Sequence, residues 1–372
     1  MATSRPPFRA DHVGSLLRPP SLKQLRAEAE TGQGDTHRLR AAEDDAIRDV
    51  VKLQESVGLE GITDGEQRRK SWHMDFLLQL SGWSSEGKTI PVTFRGAGGD
   101  VNFTRPDLAI TSRVTRPKPI FVDGFTFLRS IVSRTPKLTI PSPCMLYTQV
   151  GRANIDRRVY PDLDRFVEDV AAAYRAEIAD LYAAGCRYLQ LDDVSLAYLC
   201  DPEMRAQGTA RGDDPDAQLA LSVKLIQATL RDKPRDMTVC THLCRGNFRS
   251  SWRAQGGYAT VAETIFTQLP YDGFFLEFDD ARSGDFSPLR HVGKQTRVVL
   301  GLVTSKTGAL EAKDDLKRRL DEASKYVSLD QLGLSPQCGF SSTLEGNVVT
   351  VEQQRAKLAL CVEVAREVWG GL

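Results

Sequence analysis

Apolar positions in the second half of the chain alternate between two spacings. Over residues 162–184, Leu163, Phe166, Val170, Tyr174, Ile178 and Leu181 fall three or four apart, which gathers them on one face of a helix. Gly185 follows, the residue type that suits a helix C-terminus. The next run, CRYLQL at 186–191, is apolar without that spacing; it reads as a strand, and it ends in Asp192 and Asp193. The unit then repeats. A helix is predicted over 216–231 and a strand over 237–243 (MTVCTHL), then a helix over 260–269 and a strand over 273–278 (GFFLEF). A strand over 297–303 (RVVLGLV), a helix over 310–327, a strand over 332–337 and a helix over 351–369 complete the pattern.

Unbroken apolar strands between helices imply a parallel sheet covered on both faces. The first half offers three more strand candidates, at 8–13, 61–64 and 137–140, which brings the total to eight. Eight favours closure over an open doubly wound sheet. The predicted fold is therefore α/β, a (β/α)8 TIM barrel that takes residues 1–372 as one domain. Residues 89–118 break the rhythm. They are rich in β-branched residues, Gly and Pro, with a GAGGD turn at 96–100, and read as a β-hairpin insertion after the second strand. A surface excursion, a lid and a subunit contact are all open to it.

Composition narrows the function classes. Hydrophobic residues make up 41% and charged residues 26%, enough for a sizeable core. Lys plus Arg and Asp plus Glu number 49 each, and that balance argues against a nucleic-acid coat or an acidic-membrane binder. The N-terminal stretch has no apolar export region, and no run of about 18 apolar residues offers a membrane span. The seven cysteines are odd in number and irregular in spacing, unlike a disulfide framework. The expectation is a cytoplasmic protein with reduced thiols, able to form a homo-oligomer. Cys186, Cys200, Cys240 and Cys361 read as packing residues.

Active sites of such barrels sit at the C-terminal strand ends. There the sequence places Ser15, Glu66, Asp192 and Asp193, His242 and Cys244, Glu277, Lys306 and Cys338. His242 and Cys244 are two apart on a strand and share a face. With Glu277 and Cys338 they make a donor set suited to Zn²⁺. Two thiolates and a carboxylate carry three negative charges against the ion's two positive ones. Such a site favours holding a substrate thiol as thiolate, with the Glu as the ligand most easily displaced, over activating water.

The motifs THLCRGNF (241–248), FFLEFDDARS (274–283) and SPQCGFSS (335–342) resemble those of the cobalamin-independent methionine synthases, in their catalytic C-terminal barrel, and the likeness extends over nearly the whole chain. The resemblance implies that His242, Cys244, Glu277 and Cys338 bind zinc. It implies methyl transfer from a methylated folate to homocysteine, giving methionine. Its homocysteine-binding positions match Ser15 in HVGSLLRP, Glu66 in TDGEQRR and Asp192 in LQLDD. The acids would hold the amino group, and the turn at Ser15 the carboxylate.

Departures from the family pattern also stand out. Asp193 replaces a Glu, and Lys306 replaces a histidine proposed as proton donor; both are carried as catalytic candidates. No Trp lies near 147–149, where the family packs one on the folate, and there is no room for the extra N-terminal barrel of full-length members. His73 reads as aromatic packing, and Arg282 and Ser283 as a brace for the Glu277 loop. Short relatives include the epoxyalkane:coenzyme M transferases; uroporphyrinogen decarboxylase shares the broader fold without the metal constellation. The sequence thus leads to a zinc-dependent thiol methyltransferase using homocysteine and a folate or other methyl carrier. The alternatives are a thiol alkyltransferase of another substrate pair and a non-catalytic zinc- or methyl-carrier-binding protein.

Overall fold

The computed structural model describes residues 5–371 except 33, 86, 97 and 211; Ala97, in the predicted GAGGD turn, lies outside the described residues. In chain order the strands are β1 (Gly61–Ile62), β2 (Ser81–Ser84), β3 (Thr89–Phe94), β4 (Val101–Pro106), β5 (Ala109–Thr115), β6 (Thr135–Pro136), β7 (Leu138–Pro141), β8 (Tyr188–Asp193), β9 (Thr238–Leu243), β10 (Gly273–Glu277), β11 (Arg297–Val303) and β12 (Leu332–Pro336).

Six of these form one parallel sheet in the order β12-β11-β10-β9-β8-β7. Neighbours in that order are successive in sequence, with helices between most of them. Strands β8, β10 and β12 are buried at every position, as expected when both faces are covered. β1 pairs in parallel with β6, and the Lys137 amide donates to the Ile62 carbonyl at 2.8 Å, leading into β7. The predicted strand at 8–13 is reduced to one parallel bridge between Ala10 and Leu334, flanked by Asp11 N–H to Leu334 O and Leu334 N–H to Arg9 O.

Local signals set the helices. Leu163–Ala183 starts at Asp162, whose carboxylate accepts from the Asp164 and Arg165 amides. Val351–Trp369 starts at a Thr350–Gln353 capping box and ends at Gly370 in the left-handed region. The helix predicted over 310–327 is shorter, Lys313–Ser324. The buried Lys357 ammonium holds the Ala309 carbonyl at 2.5 Å and the Glu311 carboxylate at 3.2 Å, and Glu311 also accepts from the Thr304 amide. Those bonds fix 309–311 as a loop. Helices Pro20–Glu30 and Thr36–Val57 have no counterpart among the predicted elements.

Within 89–118, β3 and β4 form an antiparallel hairpin, and β5 returns to pair with β2. The hairpin is seated on the segment after β9. Arg95 and Trp252 exchange backbone hydrogen bonds of 2.6 and 2.8 Å. Phe94 and Phe103 pack on Phe248, with ring centroids 5.4 and 5.1 Å away. No helix among the described residues is long and apolar enough to cross a membrane.

Candidate metal centre and substrate cavity

Parallel register brings the strand ends level. Asp192 on β8 stands beside His242 on β9, which stands beside Phe275 on β10, two residues before Glu277. Cys244 follows β9 and Cys338 follows β12. One ligand atom from each of His242, Cys244, Glu277 and Cys338 lies within 4.8 Å of all the others, and all four residues are buried. The two sulfurs are 3.5 Å apart.

The free valences of this cluster suit a cation. His242 Nδ1 sits 3.3 Å from the Phe275 carbonyl, a contact that in the neutral ring places the proton on Nδ1 and leaves the Nε2 lone pair free for a metal. Nε2 is buried without a hydrogen-bond partner, and so is Glu277 Oε2. Glu277 Oε1 accepts from the Arg245 amide at 2.9 Å. Around a tetrahedral zinc with Zn–S bonds of about 2.3 Å, ligand sulfurs lie about 3.8 Å apart, close to the spacing found. The residues present therefore fit the ion. The four groups also act on one another. A hydrogen bond from Cys244 holds the Cys338 thiol pKa well down, and the same bond pushes Cys244 up. Burial opposes the His242 imidazolium, but Cys338, Asp192 and Glu277 outweigh it and raise its pKa to about 9.

Arg245 and Tyr258 brace this cluster, and neither stood out in the sequence. The Arg245 guanidinium is wholly buried over the Tyr258 ring, 4.5 Å from its centroid, and the Tyr258 hydroxyl meets the Glu277 amide at 3.0 Å. The position of Arg245 next to Cys244 in THLCRGNF was the only signal. Arg282 bonds Asp279 and Asp280 at 3.1 and 2.8 Å, in line with a bracing role for that loop.

A cavity of about 570 Å³ opens on the cluster. Ser15, Glu66, Asp192, His242, Cys244 and Cys338 all line it. Glu66 takes the Thr139 hydroxyl at 2.8 Å and pairs with Arg69 at 3.3 Å, while its Oε2 is buried and unpartnered. Burial raises its pKa. Asp192 accepts from Gln190 Nε2 at 2.6 Å; burial and then the Glu66 charge push its pKa up to about 7, against His242. Two buried acids with spare acceptor capacity could accept hydrogen bonds from a cationic group. The Ser15 hydroxyl accepts from the Ser341 amide at 3.3 Å, and a Cβ at Gly339 would fall 2.0 Å from it, so only glycine allows this approach.

Asp193 and Lys306 do not reach the cavity wall. Asp193 Oδ1 bonds the Ser195 hydroxyl and takes the Leu196 amide at 3.1 Å, at the start of helix Ser195–Tyr198. Lys306 Nζ is 3.0 Å from Asp279. Its charge lowers the Glu277 pKa, against the upward push of burial. His73 packs beside Trp72, ring centroids 4.5 Å apart, and lines the cavity.

The chain is thus an α/β protein in which His242, Cys244, Glu277 and Cys338 gather beneath a cavity. The sequence profile described as "Cobalamin-independent synthase, Catalytic domain" matches residues 8–367, and the chain belongs to that family, one of methyltransferases. The uncharacterized protein YxjG of Bacillus subtilis is 46% identical over 368 residues, covering 98% of this chain and 96% of that one. The 5-methyltetrahydropteroyltriglutamate–homocysteine methyltransferase of Mycobacterium leprae is 24% identical over 370 residues, but 98% of this chain covers only 43% of it. A candidate vitamin-B12-independent methionine synthase from Listeria monocytogenes superposes with TM-score 0.79 at 37% identity, covering 98% of each chain. A B12-independent methionine synthase from Shewanella, solved with selenomethionine, gives TM-score 0.71 at 19% identity over 97% of each chain, a likeness of fold.

Proposed function

We propose that this protein is a zinc-dependent S-methyltransferase that converts homocysteine to methionine, with His242, Cys244, Glu277 and Cys338 as the metal ligands. The observation that carries the reading is the convergence of those four donors within 4.8 Å, with His242 Nε2 and Glu277 Oε2 buried and unpartnered beside two sulfurs. Zn²⁺ bound there supplies the positive charge that keeps a substrate thiol deprotonated at neutral pH. Glu66 and Asp192 grip the amino group of the amino-acid thiol, and the Ser15 turn receives its carboxylate. The buried Arg245–Tyr258 pair orients Glu277. Lys306 and Asp193 are positioning residues: Lys306 sets the local field through Asp279, and Asp193 fixes the turn after β8. In this reading residues 8–13 and 61–64 close the sheet into a single (β/α)8 barrel with 89–118 inserted, in a cytoplasmic protein.

The test is turnover. Zinc-loaded protein given homocysteine and 5-methyltetrahydropteroylglutamates, or methylcobalamin, is assayed for methionine by mass spectrometry. Formation of methionine with one of these donors supports the reading; none with any of them defeats it. A thiol alkyltransferase of another substrate pair is favoured by one observation, that Tyr147, Thr148 and Gln149 line the cavity with no Trp among them. Calorimetric titration separates the two: homocysteine binds tightly in the first reading, 2-mercaptoethanesulfonate in the second.

A further inference from the structure

The cavity has a second polar face, away from the substrate acids. Arg105 on β4, Arg253 in the segment after β9, and Tyr198 all line it. Among the described residues neither guanidinium is ion-paired. Arg105 gives Nη1 to the Pro106 carbonyl at 3.1 Å, and Arg253 lies 5.3 Å from the Tyr198 ring centroid. Other cations nearby are matched: Arg95 with Glu203, Arg205 with Asp216, and Lys306 with Asp279. Burial, then the Arg253 charge, lower the Arg105 pKa, with Asp107 and Tyr198 opposing. Two like charges face one partly desolvated space, an arrangement that an oxyanion would relieve through charge-assisted hydrogen bonds.

The surroundings separate this face from the thiol side. The charged neighbours of Asp192 are His242, Glu66 and Cys338, whereas those of Tyr198 are Arg253, Cys244, Arg105 and Glu277. Members of the four-residue cluster neighbour both groups, His242 and Cys338 on the Asp192 side and Cys244 and Glu277 on the Tyr198 side. An amino-acid thiol held at Glu66 and Asp192 leaves the arginines to the other reactant.

We propose that Arg105 and Arg253, with the Tyr198 hydroxyl, form an oxyanion subsite that receives the acidic group of the methyl donor. This rests on reading the cavity as a thiol-methylation site and supplies its donor half. Arg105 comes from the hairpin, so the subsite exists only while β3 and β4 are seated on Phe248 and Trp252. The ligand is a donor bearing a carboxylate, sulfonate or phosphate. The glutamyl tail in the name of the Mycobacterium leprae enzyme's substrate is one source of that chemistry.

The experiment uses zinc-loaded full-length protein: wild type, R105Q, R253Q, the double variant, the charge-preserving R105K/R253K, and R113Q as a control, since Arg113, on β5, pairs with Asp169 and does not line the cavity. Each is titrated calorimetrically with inorganic sulfate, with 5-methyltetrahydropteroylglutamate, with the corresponding methylated pterin lacking the glutamyl tail, and with homocysteine. The single Gln variants should weaken sulfate and the tailed donor roughly tenfold and the double variant further, while R105K/R253K loses less and R113Q nothing. Homocysteine and the tail-less pterin should bind all variants alike, which also shows that the variants are folded. Weakened sulfate with an unaffected tailed donor still supports the subsite and assigns it to a donor with a different acid. Wild-type affinity for both anions in the double variant, or no saturable anion binding by the wild type, overturns the proposal. If homocysteine fails to bind the wild type while the anion results hold, the thiol reading fails and the subsite stands.

Discussion

Glu66 shows how a single residue is held for a task. Its φ of 57° and that of Gly65, 63°, lie in the left-handed region, which a glutamate rarely enters. The Asp64 carboxylate steadies the turn by accepting the Glu66 amide at 2.9 Å. The result is a buried carboxylate with one oxygen bonded and the other free. A charged hydrogen bond contributes about 1.5–3 kcal/mol, so Glu66→Gln should weaken homocysteine binding roughly 10- to 100-fold. Zinc content should not change; calorimetry and atomic absorption on the same sample check both. Cys338→Ala removes a ligand and should abolish near-stoichiometric zinc. Retention of one zinc per chain by that variant would contradict the ligand assignment.

Among the elements, those legible in the sequence are the ones whose burial is uniform. Strands β8 to β12 are continuous apolar runs because helices cover the sheet, and their polar ends could be ranked by position alone. The first-half strands are short or broken: β1 has two residues, and 8–13 makes only a bridge. The four proposed metal ligands were readable because each residue type is chemically distinctive and each lies at or just beyond the C-terminal end of a strand. In the sequence Asp193 reads as a catalytic candidate beside the substrate-binding candidate Asp192; its side-chain direction was not legible, since it depends on the turn that Ser195 and Leu196 make at the end of β8. Arg105 was not legible either. Its lack of a carboxylate partner arises only when β4 and the 245–254 segment meet in space.

Asp162→Ala removes the cap of helix Leu163–Ala183 and should cost about 1 kcal/mol in a urea titration. Phe248→Ala removes the ring on which Phe94 and Phe103 rest, and should raise hydrogen exchange over 89–106 with zinc content unchanged. Exchange as slow as in the wild type would mean that the hairpin is held by other contacts.

On the scale of the whole molecule, the interior is sealed by a buried polar group that gives stability a pH dependence. Lys137 is fully buried, 3.0 Å from Asp11, which also takes the Tyr188 hydroxyl at 2.7 Å. His12 sits beside them; burial, then the Lys137 charge, push its pKa down to about 4 from 6.5. The folded state therefore keeps His12 neutral where the unfolded chain is already protonated. Its contribution is fully present above pH 6.5 and is lost as pH falls toward 4, a change of roughly 3 kcal/mol. Denaturant titrations at stepped pH should show that decline. His12→Gln should flatten it, even if the variant is less stable at neutral pH.

The central claim is that four distant side chains hold one zinc for a thiol, and zinc-edge X-ray absorption tests it most directly. Protein loaded with one zinc per chain should show a first shell of two sulfur, one nitrogen and one oxygen donors, rising to three sulfurs when homocysteine is added. A shell of nitrogen and oxygen alone, or one that homocysteine leaves unchanged, would contradict the account.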